Sequence, residues 1–460
     1  MVITEVFLTK PSYRTAPLYT RYKSVPFNGI IKSSHLMKIL LLNQTFYPDN
    51  VATSQQLADL ALFLHKKGHQ VRVLTGQRGY EERRKKFAQE EVWQGVHIQR
   101  VVSTGFGKSR FRYRLIDSFT FFFSLFLALF RTPQQDLVIS FTSPPLIGVF
   151  GALFCWLKGG RHVQWLMDVN PDAAFQVGYL KRNSLLGRAL NAVFEKTLQD
   201  ASQVVVLDRW MKKRMVEHGA KEENIVVVPP WSVLGEKSPS LREEIREFKS
   251  LHGLEGKFIV LYSGNHSVVH PLTTVLEAAK VLKDNSEVVF LFIGAGIRTR
   301  DVRDFKEKHR LENIVQLPLQ PREKVKASFG SADLHVVVMG PGMSGLVHTS
   351  KIYSVLASGK PYVFVGPKES HVCDLLQECP TGFSVEADFP HEILKAIRQT
   401  QEFTSEQKEK ISLLSTQFVQ RNFQPQTTLQ SFYAAVIDGR REELNENDSL
   451  SPEPATETPT

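Results

Sequence analysis

Three cysteines in 460 residues, Cys155, Cys373 and Cys379, are too few and too scattered for a disulfide framework or a Cys/His zinc site. An odd, sparse set of this kind fits a reducing compartment. Also missing is any apolar run of the ~20 residues that a membrane-crossing helix needs. The longest candidate, Leu115 to Phe130, has 16 residues, and the stretch 144–157 is shorter still. No apolar core of a secretory signal opens the chain. A dinucleotide dehydrogenase carries G-x-G-x-x-G directly after its first strand, but the corresponding loop here, NQTFYPDNVATSQ, has no glycine. No Walker lysine motif occurs either, so the hydride-transfer and P-loop readings fall. There is no heptad array and no short repeat.

What is present is an ordinary globular balance, 42% hydrophobic and 23% charged residues, with a formal net charge of +10. The excess of base points to an anionic partner: nucleic acid, a phosphorylated substrate or an anionic membrane face. The length predicts about two domains. From Met37 onward short apolar runs alternate with amphipathic stretches. KILLLN, GHQVRVLTG, DLVISF (136–141), HVQWLMD (162–168), QVVVLD (203–208) and NIVVVPP read as strands, several followed by helical periodicity. After PPWSVLGEKSPS the alternation restarts with KFIVLYSGN, VVFLFIGAG, NIVQLPL, ADLHVVVM and KPYVFVG. This pattern predicts two α/β domains with mostly parallel sheets covered on both faces. The expected boundaries are 37–230 for the first domain and 231–412 for the second. A helical segment, 413–438, is expected to pack back on the first domain. Residues 1–36 hold Lys10, Arg14, Arg21, Lys23 and Lys32 against Glu5 alone, and read as a disordered extension. Residues 439–460 read as a disordered acidic tail.

In such sheets ligands bind at the carboxyl ends of the strands. The second domain offers three glycine-containing loops there: SGNHSVVH (263–270), GAGIR (294–298) and GPGMSGLVHTSK (340–351). Together they suit a diphosphate and a nucleoside. The third loop runs into a helix with Ile352, Val355 and Leu356 on its apolar stripe, Thr349 or Ser350 as its cap and Gly359 as its end. Its first turn carries Lys351, a cation at the positive end of the helix dipole, which a bound phosphate would compensate. In the first domain, Asp168 and Asp172 in Asp-x-x-Pro-Asp follow a strand and face the expected cleft. The segment 105–131 is Phe- and Leu-rich, with Lys108, Arg110, Arg112 and Arg114 ahead of it and Arg131 at its end. That composition suits a helix lying on anionic lipid, with a buried helix as the alternative.

From Met37 to about residue 435 the chain resembles a family-4 glycosyltransferase of the GT-B fold. The resemblance is to the bacterial branch that builds capsule, exopolysaccharide and O-antigen units, fucose and amino-fucose transferases among them. It rests on YPDNVATSQQLADLALFLHKKGHQVRVLTG, SFTSPPLIGVFGALF, WLMDVNPDAAFQVGYL, VVVLDRWMKKRM, LYSGNHSVVHPLTTVLEAA, FLFIGAG, LQPREKV and GPGMSGLVHTSKIYSVLASGKPYVFVGP, in that order.

The resemblance implies two facing Rossmann-like domains with a cleft between them and a UDP- or GDP-sugar held mainly by the second. The acceptor saccharide, expected to be lipid-linked, approaches over the first. It implies retaining transfer with no cofactor and no metal in the site, at the cytoplasmic face of the membrane, with no nucleic-acid partner. Lys351, Ser350 and the amides of Gly264, Asn265 and His266 are then expected at the donor phosphates, with His270 beside them. Gly342, Met343 and Ser344 are expected over the sugar, and Gly294, Gly296 and Gln320 along the nucleoside. Asp168 and Asp172 are expected to position the acceptor or accept its proton. The chain departs from the family at Asn265 and His270, where many relatives carry Arg and Lys, at Met167, where many carry His, and at Ser344 and Ser354, where many carry glutamates. Two alternatives remain on the same architecture: a nucleotide-sugar 2-epimerase and a non-catalytic sugar-nucleotide-binding partner.

Overall fold

The computed structural model describes residues 23–26, 36–49, 51–79, 85–106, 111–232, 234 and 240–443. Its strands are β1 (Lys23–Pro26), β2 (Lys38–Leu42), β3 (Gln70–Gly76), β4 (Glu90–Trp93), β5 (Val96–Val101), β6 (Leu137–Ser140), β7 (Arg161–Trp165), β8 (Gln203–Val206) and β9 (Ile225–Val227). They continue with β10 (Phe258–Ser263), β11 (Val288–Ile293), β12 (Ile314–Leu317), β13 (Leu334–Val338), β14 (Tyr362–Val365), β15 (Gly382–Val385) and β16 (Arg440–Glu443). Eight strands form the first sheet in the order β4-β5-β3-β2-β6-β7-β8-β9, and six form the second in the order β12-β11-β10-β13-β14-β15. The second is parallel throughout, and in the first only β4 runs against its neighbour.

Parallel strands covered on both faces need apolar residues at consecutive positions, and Ile39, Leu40, Leu41 and Leu42 are all fully buried. Leu41 pairs with Val73 on one side and Ile139 on the other. Each such side chain contributes about 1.5–3 kcal/mol of apolar burial. The sequence reading omitted the β4–β5 hairpin. Its turn residues, Gln94 and Gly95, both have positive φ, 48° and 87°. That is the backbone of a two-residue turn, and Gln-Gly between two alternating runs was its signal.

β1 pairs antiparallel with β16, joining segments near both chain ends. The remainder of the expected extension and tail, apart from Leu36 and Gly439, lies outside the described residues. The helix Pro425–Phe432 reaches the first sheet, where Phe432 stacks on Trp165 with centroids 4.5 Å apart. Just beyond it, Tyr433 OH lies 3.0 Å from His69 Nε2.

The strand order reverses between β10 and β13, so the loops leaving these two strands diverge and open a crevice between them. These are the 264–270 and 340–350 loops. They face the first sheet across a closed seam. Val169 N–H donates to Leu346 O at 2.8 Å, and Asp168 forms an isolated antiparallel bridge with Val347. One continuous apolar cluster runs through the seam, from Leu166, Met211 and Trp231 to Met339, Met343 and Ile352.

The Phe-rich segment is a helix, Phe111–Arg131. Phe121, Leu125 and Leu129 pack on Leu40, Leu42 and Val138. Ile116, Phe119, Phe123, Leu127 and Phe130 form a second stripe on the opposite face and are exposed, Phe119 by 71%. Leu157 of the neighbouring helix Gly148–Lys158 lies beside Phe130 and is also exposed. The buried-helix reading holds for one face, and the other face is apolar and exposed. No described helix is long and apolar enough to cross a membrane. Lys108 and Arg110 lie outside the described residues, while Arg112 and Arg114 fall within the helix.

Candidate functional site

Three loops interlock at the carboxyl edge of the second sheet. Gly264 N–H donates to Ile293 O and His266 N–H to Ala295 O, while Gly340 N–H donates to Val269 O. Gly294 and Gly296 have φ of 146° and 158°, and a Cβ on either would meet the carbonyl of Gly264 or His266 at 2.0–2.2 Å. Only glycine allows this approach. The same bonds correct one expectation. The amides of Gly264 and His266 are committed within the protein, which leaves Asn265, alone of the three, to offer a phosphate its N–H.

Lys351 opens the helix Lys351–Ser358. Its Nζ is buried without a hydrogen-bond partner. It lies 4.0 Å from the centroid of the Tyr262 ring, and a Cβ on Gly264 would come within 3.0 Å of it. Burial pushes the ammonium down to about 7. Ser350 occupies the N-cap but makes no side-chain cap bond, and Thr349 Oγ1 is buried without a partner. The expected side-chain cap is absent, and the Ile352 and Tyr353 amides donate instead to Thr349 O and Ser350 O, each at 3.2 Å. His266 has no partner on either ring nitrogen and His270 none on Nδ1. Burial, and then the nearby Lys351 charge, pushes these rings down to about 4 and about 3. They are neutral imidazoles with free polar atoms. Buried polar groups are normally hydrogen-bonded. Here unpaired polar atoms, donors and acceptors both, gather around one buried cation.

The other expected donor residues divide. Ser344 Oγ donates to the Glu369 carbonyl, which occupies the hydroxyl. The Met343 side chain is buried in the apolar cluster of the seam rather than open to the cleft. Gly342 faces Gln176 of the first domain across the cleft: a Cβ there would lie 2.2 Å from Gln176 Nε2. Gln320 folds onto its own loop, its amide donating to Pro318 O at 2.9 Å.

The two first-domain carboxylates also separate. Strand β7 ends at Trp165, three residues short of the expected end, so Asp168 lies on the loop beyond it and Asp172 opens the short helix Asp172–Gln176. Asp172 is buried, with Oδ1 accepting from Arg182 Nη2 at 2.8 Å and Oδ2 3.0 Å from His218 Nε2. Burial alone would raise its pKa, but the His218 hydrogen bond and charge, together with Arg182, outweigh it and hold the carboxyl below the usual range. Both of its oxygens are engaged and it is a poor base, contrary to the proton-acceptor expectation. At Asp168, burial pushes the carboxyl up to about 6, with the His348 charge opposing. That value suits proton transfer near neutrality. Beside them a cavity of about 470 Å³ is lined by Asp172, Gln176, Lys181, Arg182, Arg214 and Leu346, among others.

The sequence reading missed a buried cluster on the seam. Asp208 Oδ2 lies 2.7 Å from His348 Nδ1, and His348 Nε2 lies 3.0 Å from Tyr353 OH. His371 stacks on His348, with centroids 3.8 Å apart and planes at 17°. Ligand-type atoms of Asp208, His348 and His371 fall within 4.8 Å of one another. Imidazole binds a metal within its own ring plane, so two stacked rings aim poorly at one ion, and hydrogen bonding accounts for the cluster better. Nearby, Arg209 holds Asp374 through Nε at 2.9 Å and Nη2 at 2.7 Å, and Trp210 Nε1 donates to the same carboxylate at 2.9 Å. Asp208, Arg209, Trp210, His348 and Tyr353 sat inside quoted motifs and His371 and Asp374 outside them, but the pairs that cross the seam are about 140 to 165 positions apart, beyond any local signal.

Residues 52–231 match the glycosyl transferase 4-like domain. The chain carries that domain and is a glycosyltransferase of the GT-B fold. It is 26% identical over 388 residues to WcaI of Escherichia coli K12, named for glycosyl transfer in colanic acid biosynthesis, covering 79% of this chain and 92% of that one. It is 27% identical over 315 residues to WbjE of Pseudomonas aeruginosa, named as a glycosyltransferase, covering 66% and 75%. The fold is shared with Anabaena HepE, solved with UDP and glucose, at a TM-score of 0.67 and 16% identity over 87% of this chain and 99% of that one. WaaG, a glycosyltransferase involved in lipopolysaccharide biosynthesis, superposes with a TM-score of 0.64 at 14% identity over 85% and 99%. The glycosyltransferase thus places Lys351 at the crevice of the second sheet, four residues beyond the Val347 that Asp168 bridges across the seam.

Proposed function

We propose that this glycosyltransferase transfers a sugar, with retention of configuration, from a UDP- or GDP-sugar to a saccharide acceptor carried on a lipid. The product belongs to a cell-surface polysaccharide, and the work is done at the cytoplasmic face of the membrane. The observation that carries the donor assignment is the buried, unpartnered ammonium of Lys351 at an uncapped helix start. The UDP bound by HepE and the pathway names of WcaI and WaaG support the class of donor and product.

In this reading the donor diphosphate sits beside Lys351, Ser350 and the Asn265 amide. Its charge draws a proton onto Lys351, whose pKa of about 7 leaves it half-neutral beforehand. As the glycosidic bond to the diphosphate breaks, negative charge grows on the departing oxygen. A preorganised cation and the Asn265 amide stabilise that charge more than they stabilise the intact donor. The chemistry asks for no metal and no cofactor, because Lys351 supplies the positive charge. The acceptor hydroxyl attacks from the face that the leaving group vacates, with Asp168 as the nearby carboxylate able to orient it or take its proton. Asp172, through Arg182 and His218, shapes the acceptor wall. The exposed stripe on Phe111–Arg131 gives the protein an apolar face for an anionic bilayer, where a lipid-linked acceptor resides.

A thermal-shift panel with UDP, GDP, CMP and ATP tests this reading. A ligand at a hundredfold excess over its Kd stabilises the folded state by about 2.7 kcal/mol. A shift with UDP or GDP alone, absent in Lys351→Ala, is the expected result. No shift with any nucleotide would transfer the case to a non-catalytic role.

A further inference from the structure

We propose that Asp208, a first-domain residue, is a positioning residue of the donor site, acting through His348 on the loop that presents Lys351. The proposal rests on the reading of Lys351 as the phosphate contact.

Asp208 ends the run that follows β8, and its Oδ1 caps the helix Arg209–Glu217 by accepting from Met211 N–H at 2.8 Å. Its second oxygen crosses the seam to His348 Nδ1 at 2.7 Å. Burial raises the Asp208 pKa, but the hydrogen bonds from His348 and the Met211 amide oppose it and the carboxyl lies below the usual range, so the group is an anion. A carboxylate only accepts, which fixes the proton on His348 Nδ1. The far nitrogen of His348 then meets Tyr353 OH, two residues beyond Lys351. Burial, reinforced by the Asp208 charge, raises the Tyr353 phenol well above its usual value, so it keeps its proton and can donate. His371 covers the outer face of the His348 ring and, pushed down to about 3 by burial, does so as a neutral ring.

The result is a fixed chain, Asp208–His348–Tyr353, that brackets Lys351 in sequence on both sides. Three further contacts press the same loop onto the first domain. Val169 N–H donates to Leu346 O, Asp168 bridges Val347, and Gly345 lies so close to Trp210 that a Cβ would meet its carbonyl at 2.6 Å. The loop that carries the donor cation is therefore built on the second sheet but held from the first. Phosphate binding and domain apposition become one event.

The test is a double-mutant cycle on nucleotide affinity, measured by titration with UDP and with GDP. Asp208→Asn keeps the helix cap, because Asn caps as well as Asp, but removes the anion that orders His348. The expected result is an affinity loss of about tenfold in the otherwise wild-type protein and less than about twofold in a Lys351→Ala background. His348→Ala should lose as much as Asp208→Asn. His348→Asn, which keeps a donor near the Nδ1 position, should recover most of the loss. An equal loss in both backgrounds, or no loss from Asp208→Asn, would overturn the positioning role while leaving the donor reading intact. Wild-type nucleotide affinity in Lys351→Ala, or no nucleotide binding by the wild type, would remove the donor reading and this inference together. Melting of each variant without nucleotide identifies any that fail to fold, and for Asp208 the His348 pair then carries the test.

Discussion

The buried polar groups on the two sides of the seam differ in one respect. On the first-domain side the buried carboxylates are saturated, although Gln164 Oε1 and Trp165 Nε1 of β7 are not: Asp172 holds Arg182 and His218, and Asp208 holds His348 and the Met211 amide. Around the crevice of the second sheet they are starved: Lys351 Nζ, both nitrogens of His266, His270 Nδ1 and Thr349 Oγ1 lack partners. A buried charge without a partner is expensive, so a protein tolerates it where a ligand repays it. Saturated clusters hold the protein together, and starved ones mark where something else belongs.

Substitution of Lys351 should produce the largest break in this contrast. Lys351→Ala should lower transfer by about 10²-fold or more while the fold remains, since it removes the charge that meets the leaving phosphate. Lys351→Met should also raise the stability of the nucleotide-free protein, by about 1–3 kcal/mol, because an apolar chain of similar length no longer buries a cation. Activity assays and melts without ligand check the two halves.

The two carboxylates sharpen the contrast. Asp168→Asn should lower kcat by about 10²-fold with little change in melting temperature. Asp172→Asn should act in the opposite sense, costing about 2–3 kcal/mol of stability by leaving His218 and Arg182 poorly paired. If Asp172→Asn melts as the wild type does and is inactive, the division between them is wrong.

Lys351 also gives a pH signature. Its folded value of about 7 lies below the ordinary 10.5, so between these values the unfolded chain binds more protons. Its contribution to the stability of the free protein therefore rises with pH across that window. Nucleotide binding runs the other way, because a bound anion restores the proton. Affinity for UDP or GDP should fall as pH rises above about 7, by up to about tenfold per unit. Calorimetry in buffers of different ionisation enthalpy should detect the proton uptake at pH 8, and an absence of uptake would mean that Lys351 does not meet the phosphate.

The smallest effect on the protein itself is expected from the outer face of Phe111–Arg131. Phe119→Ser with Phe123→Ser should leave stability within about 0.5 kcal/mol. The same pair should abolish co-flotation with anionic vesicles, and unchanged flotation would remove this helix from the membrane proposal.

Much of this contrast was legible locally. The alternation of apolar runs and amphipathic stretches, the three glycine loops and the misplaced cation at Lys351 are properties of neighbouring residues, and local properties survive in a linear reading. What the sequence could not express was satisfaction. Asp168 and Asp172 stand four positions apart with the same chemistry, and only the arrival of Arg182 and His218 makes one of them a fixed ion pair. The Gly264 and His266 amides looked free because their acceptors, Ile293 and Ala295, belong to another strand and its loop.

By itself, then, the sequence determined the two parallel sheets, the loops at their carboxyl edges and the presence of a cation seeking an anion. Each follows from periodicity, glycine placement or helix polarity over a few residues. Only the tertiary structure decided which polar groups are spent and which are available, and that Asp208 reaches His348 across the seam. Hydrogen bonding and desolvation depend on who is near in space, and most of these partners are far apart in the chain.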